Sequence, residues 1–186
     1  MSTVSNRAPA VAELGEPEPS RRMQWRCWDP WYEVHARGIT LEWADLGDER
    51  GQIHRRTSDG ATTITLHFQL SYLEASAVLT HELVHDERGI LFDADTPVDV
   101  FEAEEALVRA KTARRLVPPI LLLARLRDAV VRAEPISVDV VAEWFSVPAS
   151  TAREALRLVE EAGDALRPVD LIPSEVVDAA TMALVA

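Results

Sequence analysis

Two histidines and a glutamate, residue types that bind and use metal ions, lie within the stretch His81-Glu82-Leu83-Val84-His85. In an α-helix, residues four apart project from the same face about one turn from each other, so both imidazoles can reach one ion. Glu82 lies beside that face, where it can hydrogen-bond a water molecule without being a ligand. This HExxH spacing predicts a zinc site formed by His81 and His85, with Glu82 as the catalytic base of a metallopeptidase.

The same motif also occurs by chance in surface helices, so its context matters. The residues around it are apolar, which predicts that the helix is buried: Ala77, Val78, Leu79, Leu83 and Val84. Two histidines and a glutamate on a buried helix are costly unless a partner compensates them. The context therefore favours a metal site over an accidental match.

A catalytic zinc site takes a third protein ligand, and the residues after the motif restrict the choice. The metzincin pattern requires Gly at position 88 and His at position 91, where this chain has Arg88 and Leu91. The other arrangement takes a glutamate from the following helix, where three candidates occur: Glu102, Glu104 and Glu105.

Helical spacing separates these three glutamates. Glu105 is the charged member of a row that is otherwise mainly apolar: Phe101, Val108, Thr112 and Leu116. Its carboxylate therefore needs a buried partner. Glu102 flanks the other apolar row, and Glu104 lies near Lys111, as expected of a solvated residue. We predict that Glu105 is the third ligand, with Glu102 and Glu104 as the alternatives.

Three short segments ahead of the motif alternate apolar and polar residues, as strands with one buried face do. They cover about residues 39–43, 52–56 and 62–70. The last segment places Ile64, Leu66 and Phe68 on one face. We expect a small antiparallel sheet packed on a zincin-like HExxH helix.

After these strands the hydrophobic period becomes helical, and Gly89 is a suitable end for the motif helix. Thr96 as N-cap and Pro97 as first helical residue predict the start of the next helix, which should end near residue 117. Further helices are predicted near residues 120–132 and, as a helix-turn-helix-like pair, within residues 137–163. The predicted fold class is α+β, with an all-helical C-terminal region.

Three regions are predicted along the chain. Residues 1–22 are polar and rich in Pro and Glu, without a hydrophobic period, and are predicted to be a disordered tail. Residues 23–118 are predicted to form the zincin-like metallopeptidase domain. Residues 119–186 are predicted to form a helical, helix-turn-helix-like domain.

Composition restricts the partners and the compartment. The 186 residues include 19 Lys and Arg against 31 Asp and Glu, and the net charge of -12 repels phosphate backbones. Residues 134–167 carry seven acidic residues against three arginines, so nucleic acid is not an expected partner of the helical pair either. The single cysteine, the lack of a secretory signal and the lack of a long apolar segment predict a cytoplasmic protein with no membrane association.

Five further residues have a weaker chemical interpretation. His67 lies on the strand before the motif helix, where zincins usually present an edge strand to the substrate. It and Tyr72 are candidates for polarising a substrate carbonyl, although a surface or packing role fits them better. Asp86 is a candidate for orienting a metal-bound imidazole. Arg153 and Arg157 are candidates for contacts in a DNA groove, although the acidic residues around them oppose DNA binding.

The motif helix and the helix after it resemble the ImmA/IrrE-type metallopeptidases of phages, mobile elements and their bacterial hosts. HELVHDERG is similar to that family's motif helix, and EALVRAKTARRLVP is similar to its next helix, in which a ligand glutamate begins a pattern ending in Leu-x-Pro. This register also assigns Glu105. The resemblance covers about residues 39–118, with a weaker match at VAEWFSVPASTAREAL, and departs from the common pattern at Val108 and Arg109.

The resemblance implies a zinc metalloendopeptidase that performs limited proteolysis of an intracellular protein in the cytoplasm of a bacterial host cell. Its gene is expected in the host itself, in a phage or in another mobile element. The resemblance also implies a helix-turn-helix transcriptional repressor as the substrate class. Two alternatives remain open. One is a non-catalytic, zinc-containing regulator that binds DNA or another regulator through its helix-turn-helix-like pair, and the other is a broad-specificity intracellular peptidase.

Overall fold

The computed structural model describes residues 28–56, 58–89 and 96–166, together with residues 178, 182 and 183. The predicted disordered tail, residues 1–22, lies outside the described residues. Within the described ranges the chain is α+β and mostly helical, with six helices and one three-stranded sheet. The predicted fold class is confirmed at this level.

Nine helices and strands follow one another along the described ranges. They are α1 (Pro30–Ala36), β1 (Thr40–Ala44), β2 (Gly51–Arg55), β3 (Thr62–His67), α2 (Tyr72–Arg88), α3 (Val98–Leu116), α4 (Pro119–Arg132), α5 (Val138–Phe145) and α6 (Ala149–Leu166). All but α1 lie close to the positions that the hydrophobic period predicts. The short helix α1 was not predicted.

The sheet is mixed, and the predicted antiparallel sheet is wrong. Its strand order is β1-β3-β2, in which β3 pairs parallel with β1 and antiparallel with β2. Alternation shows which face of a strand is buried, but not which strand lies beside it or in which direction that neighbour runs. Ile64 and Leu66 are fully buried as predicted, whereas Phe68 lies beyond the end of β3 and is 54% exposed.

Helix α2 has well-defined ends, as its sequence predicts. Ser71 and Glu74 form a capping box at its start, since the Ser71 hydroxyl accepts from the Glu74 N–H and the Glu74 carboxylate accepts from the Ser71 N–H. Gly89 ends the helix in the left-handed conformation with a φ of 67°. The motif therefore lies inside a helix whose two ends are set by local interactions.

Helix α3 begins one residue later than predicted. Pro97 is the N-cap, with an extended backbone (φ -58°, ψ 139°), so it is not the first helical residue and Thr96 lies outside the helix. The helix ends at Leu116, and Val117 is non-helical (φ -127°, ψ 83°), in agreement with the bias of a residue before proline against the helical conformation.

Two clusters of buried apolar residues form the core. The first joins the sheet to α1 and α2, with Ile64, Leu66, Leu79 and Leu83 among its members. The second joins α4, α5 and α6 to the end of α3, with Leu122, Leu126, Val141 and Leu156 among its members. Helix α3 packs on both α2 and α6, so it connects the two clusters. None of the helices in the described ranges is long and apolar enough to cross a bilayer.

Candidate metal centre

Helices α2 and α3 bring His81, His85 and Glu105 together. The Nε2 atoms of the two histidines are 3.1 Å apart. The Glu105 carboxylate lies beside both rings, with Oε2 3.3 Å from His81 Nε2 and Oε1 3.0 Å from His85 Nε2. One donor atom from each residue lies within 4.8 Å of the other two, so the three residues can share one metal ion.

The spacing of these atoms fits a tetrahedral zinc ion. Zinc binds imidazole nitrogen and carboxylate oxygen at about 2.0–2.2 Å, so two donors on one tetrahedral ion lie roughly 3.3 Å apart. The nearest contacts between the three residues, in which each histidine meets a different Glu105 oxygen, measure 3.0–3.3 Å and are close to that value. Two imidazoles and one carboxylate are also a common donor set for zinc, although other divalent ions accept it.

The structure distinguishes the three candidate glutamates by what each one contacts. Glu105 faces the histidine pair, and Glu102 is exposed. Glu104 is only 6% exposed and forms a two-point ion pair with Arg88, one contact of which measures 2.6 Å. The expectation that Glu104 is solvated near Lys111 is therefore wrong, because Arg88 reaches it from the last turn of α2.

Burial shifts the pKa values of the two adjacent motif residues Glu82 and His81 in opposite directions. Glu82 is 7% exposed, and burial followed by repulsion from Glu105 and Glu49 raises its pKa to about 8. Burial followed by the charge of His85 lowers the pKa of His81 to about 4. His81 is therefore neutral at physiological pH, which is the form that binds a metal.

Gly51, the first residue of β2, is a contact of the site that the sequence interpretation missed. A Cβ atom at this position would lie 2.3 Å from Val78 Cγ1 and 3.0 Å from Glu82 Oε1. Only glycine lets β2 approach α2 this closely without displacing one of those side chains. A glycine inside a strand pattern is a known signal of such an approach.

Three of the weaker candidates have other partners. Asp86 accepts a hydrogen bond from Arg55 at 2.6 Å. His67 lies at the end of β3, which is the central strand and not an edge, and its Nδ1 accepts from the backbone of Gln69. The exposed ring of Tyr72 stacks on Trp31 with the centroids 5.6 Å apart, in agreement with a packing role.

A cleft of about 420 Å³ opens beside the candidate metal centre. His81 and Glu82 contribute to its wall, together with residues that precede β2 and residues of α3 and α6. The candidate base thus lies next to a space that a substrate can enter.

Comparisons of the chain with protein-family models, with curated proteins and with solved structures find no match. The resemblance to the ImmA/IrrE-type peptidases therefore stays a prediction that rests on the motif residues.

Proposed function

We propose that this protein is a zinc-dependent peptidase in which His81, His85 and Glu105 hold the metal and Glu82 is the catalytic base. The observation that carries the proposal is the convergence of two imidazole nitrogens and the Glu105 carboxylate, whose nearest pairwise contacts measure 3.0–3.3 Å, beside a second carboxylate, that of Glu82, which is not a ligand. Three protein donors leave one position of tetrahedral zinc for water or substrate. That arrangement is typical of catalytic sites, whereas structural sites use four protein ligands.

The residues of the site have separate roles in the proposed hydrolysis. A zinc ion bound here supplies Lewis acidity, which polarises a peptide carbonyl and makes water a stronger acid. Glu82 takes a proton from the attacking water, whose oxygen bonds to the carbonyl carbon, and delivers that proton to the nitrogen as the C–N bond breaks. Burial raises the pKa of Glu82 to about 8 in protein without metal, and a divalent ion held by His81, His85 and Glu105 would favour the ionised carboxylate that accepts the proton.

The proposed substrate is an intracellular protein that is cut at a limited number of sites. A helix-turn-helix transcriptional repressor is the substrate class implied by the resemblance of the motif helices. The DNA-binding alternative is opposed by Arg157, whose guanidinium is already bound by Glu154 and Glu161. The acidic balance of residues 134–167 opposes that alternative as well.

Zinc content and cleavage, measured in parallel, test the proposal. Purified protein should carry about one zinc per chain, and His81→Ala, His85→Ala and Glu105→Ala should each lose most of it. Glu82→Gln keeps the size of the side chain but cannot accept the proton. It should retain zinc and lose cleavage of a co-expressed partner from the native locus by on the order of a hundred- to ten-thousand-fold.

Glu102→Ala is the matched control, because Glu102 is an exposed glutamate on the same helix as Glu105. It should keep both zinc and cleavage. Loss of zinc in Glu102→Ala or Glu104→Ala, with zinc retained in Glu105→Ala, would show that the third ligand is misassigned. Processing by Glu82→Gln at the wild-type rate would favour the non-catalytic regulator, and extensive degradation of unfolded casein would favour the broad-specificity peptidase.

A further inference from the structure

The cleft beside His81 and Glu82 is large enough to hold part of a substrate. Its volume of about 420 Å³ lies within the range of ligand pockets, roughly 300–1,000 Å³. Because two motif residues form part of its wall, a group bound there lies next to the proposed reaction centre.

The walls of the cleft come from both hydrophobic clusters of the protein. One side is formed by α2 and α3, and the other includes the turn before α6 and the first turn of that helix. Most of the uncharged side chains that line it are small or apolar: Ala77, Val78, Ala113, Pro148, Ser150 and Thr151. Small side chains on all these elements leave the space that a larger side chain of a substrate can fill.

Three charged residues of the cleft are neutralised within the protein. Arg50 forms an ion pair with Glu74, which also lines the cleft. Glu154 forms an ion pair with Arg157 at 2.6 Å. A charged substrate group near these pairs would lose hydration and gain little attraction, so the lining favours an apolar group.

Two further charged residues of the cleft are in contact with water. The Arg109 side chain is 57% exposed and lies 4.0 Å from Glu105. Glu49 is exposed as well. Charges that stay hydrated discriminate weakly between substrates, so these two residues do not change the preference of the cleft.

We propose that this cleft binds one bulky apolar side chain of the substrate next to the scissile bond, and that the first turn of α6 limits its size. The inference rests on the proposed peptidase function and deepens it by naming a substrate preference. It gives α6 and the turn before it, which belong to the helix-turn-helix-like pair, a role as a wall of the substrate site.

Binding of two small hydroxamates tests this subsite without a known substrate. N-acetyl-leucine hydroxamate and N-acetyl-glycine hydroxamate share a zinc-binding group and differ in the side chain. Calorimetric titration of zinc-loaded protein should show that the leucine probe binds about ten- to hundred-fold more tightly, as expected for a buried leucine side chain. Ser150→Leu and Ala77→Leu fill the cleft from two of its walls and should each reduce the ratio of Kd values to about one.

Ala149→Leu is the matched control, since it adds the same side chain at an exposed neighbouring position that does not line the cleft. It should leave the ratio unchanged. Equal binding of the two probes by the wild type, or an unchanged ratio in both Ser150→Leu and Ala77→Leu, would overturn the subsite. Failure of the glycine probe to bind zinc-loaded protein is a distinct result, because it contradicts the metal centre and removes the basis of the subsite with it.

Discussion

At the scale of single residues, burial makes both Glu82 and His81 neutral near pH 7 in protein without metal. It raises the pKa of Glu82 to about 8 and lowers that of His81 to about 4, because the charged form of each loses hydration. The folded state therefore holds a proton on Glu82 that the unfolded chain has released. His81, in contrast, lacks a proton in the folded state that the unfolded chain takes up below about pH 6.5.

These shifts predict that metal-free protein loses stability as the pH rises from 6.5 to 8. In that window the folded state binds more protons than the unfolded chain because of Glu82, so the free energy of unfolding falls by about 2 kcal/mol. His81 acts in the opposite direction, but only between about pH 4 and 6.5. Urea unfolding of chelator-treated protein measures this slope of the free energy of unfolding against pH. Glu82→Gln should remove the slope and be the more stable protein at pH 8, and a flat wild-type profile would contradict the burial of Glu82.

The residues of the site differ in how far the sequence predicts them. The HExxH spacing identifies His81 and His85 because both lie on one helix, where geometry follows from residue number. Helical spacing also selects Glu105, which the structure places beside them. The same spacing misjudges Glu104, because its partner Arg88 belongs to a different helix. A helical row shows which residues lie side by side, but not what faces them across a tertiary contact.

At the scale of helices and strands, local sequence signals predict where an element ends better than they predict which elements pack against it. The capping box and Gly89 set the ends of α2 in the sequence itself. Helix α1 was missed because seven residues are too few for a hydrophobic period, although Asp29 before Pro30 is a start signal. Trp31 of that helix donates a hydrogen bond to Ser76 at 3.1 Å and so attaches α1 to the motif helix.

The contact between β2 and α2 predicts a specific sensitivity at Gly51. Gly51→Ala places a Cβ against Val78 and Glu82, so β2 or one of these two side chains must move. Overpacking of this kind costs about 1–3 kcal/mol of stability. Because the added Cβ lies against Glu82 and not against the proposed ligands, the variant should keep its zinc and cleave the partner more slowly than the wild type.

Gly60→Ala controls for the loss of a glycine. Gly60 has a φ of 71° and open space around it, so its substitution strains the backbone without contacting the site. It should lower the free energy of unfolding, measured in urea, and leave cleavage and zinc content unchanged. Equal loss of cleavage in both glycine variants would mean that instability, and not displacement of Glu82, explains the effect of Gly51→Ala.

At the scale of the whole molecule, the candidate site lies where the two hydrophobic clusters meet. Val108 is fully buried near Glu105, and Ala113 and Val117 belong to the helical cluster further along the same helix. The predicted domain boundary at residue 118 falls directly after this shared helix. Alternation and helical period describe one element at a time, so they do not show that α3 packs on both α2 and α6.

Several basic residues of this acidic chain form ion pairs within the protein. Glu87 accepts hydrogen bonds from Arg37, Lys111 and Arg115, which come from two other parts of the fold. Burial alone would raise the pKa of Glu87, but these hydrogen bonds lower it to about 2. Cations that are paired with Glu87 in this way stabilise the packing of α2 on α3. They are not available to bind phosphate.

The charge distribution of the whole molecule predicts that this protein does not recognise DNA through α5 and α6. Arg157 is neutralised by Glu154 and Glu161, and the net charge of -12 repels the duplex. Fluorescence anisotropy with a labelled duplex should give a Kd no tighter than about 1 µM in 50 mM salt, within the non-specific range. Arg153→Ala and Arg157→Ala should leave the fold and this weak signal unchanged. The opposite result is tighter binding that weakens steeply between 50 and 200 mM salt and is abolished by these two substitutions. It would show that the helical pair contacts phosphate, and it would favour the regulator over the peptidase.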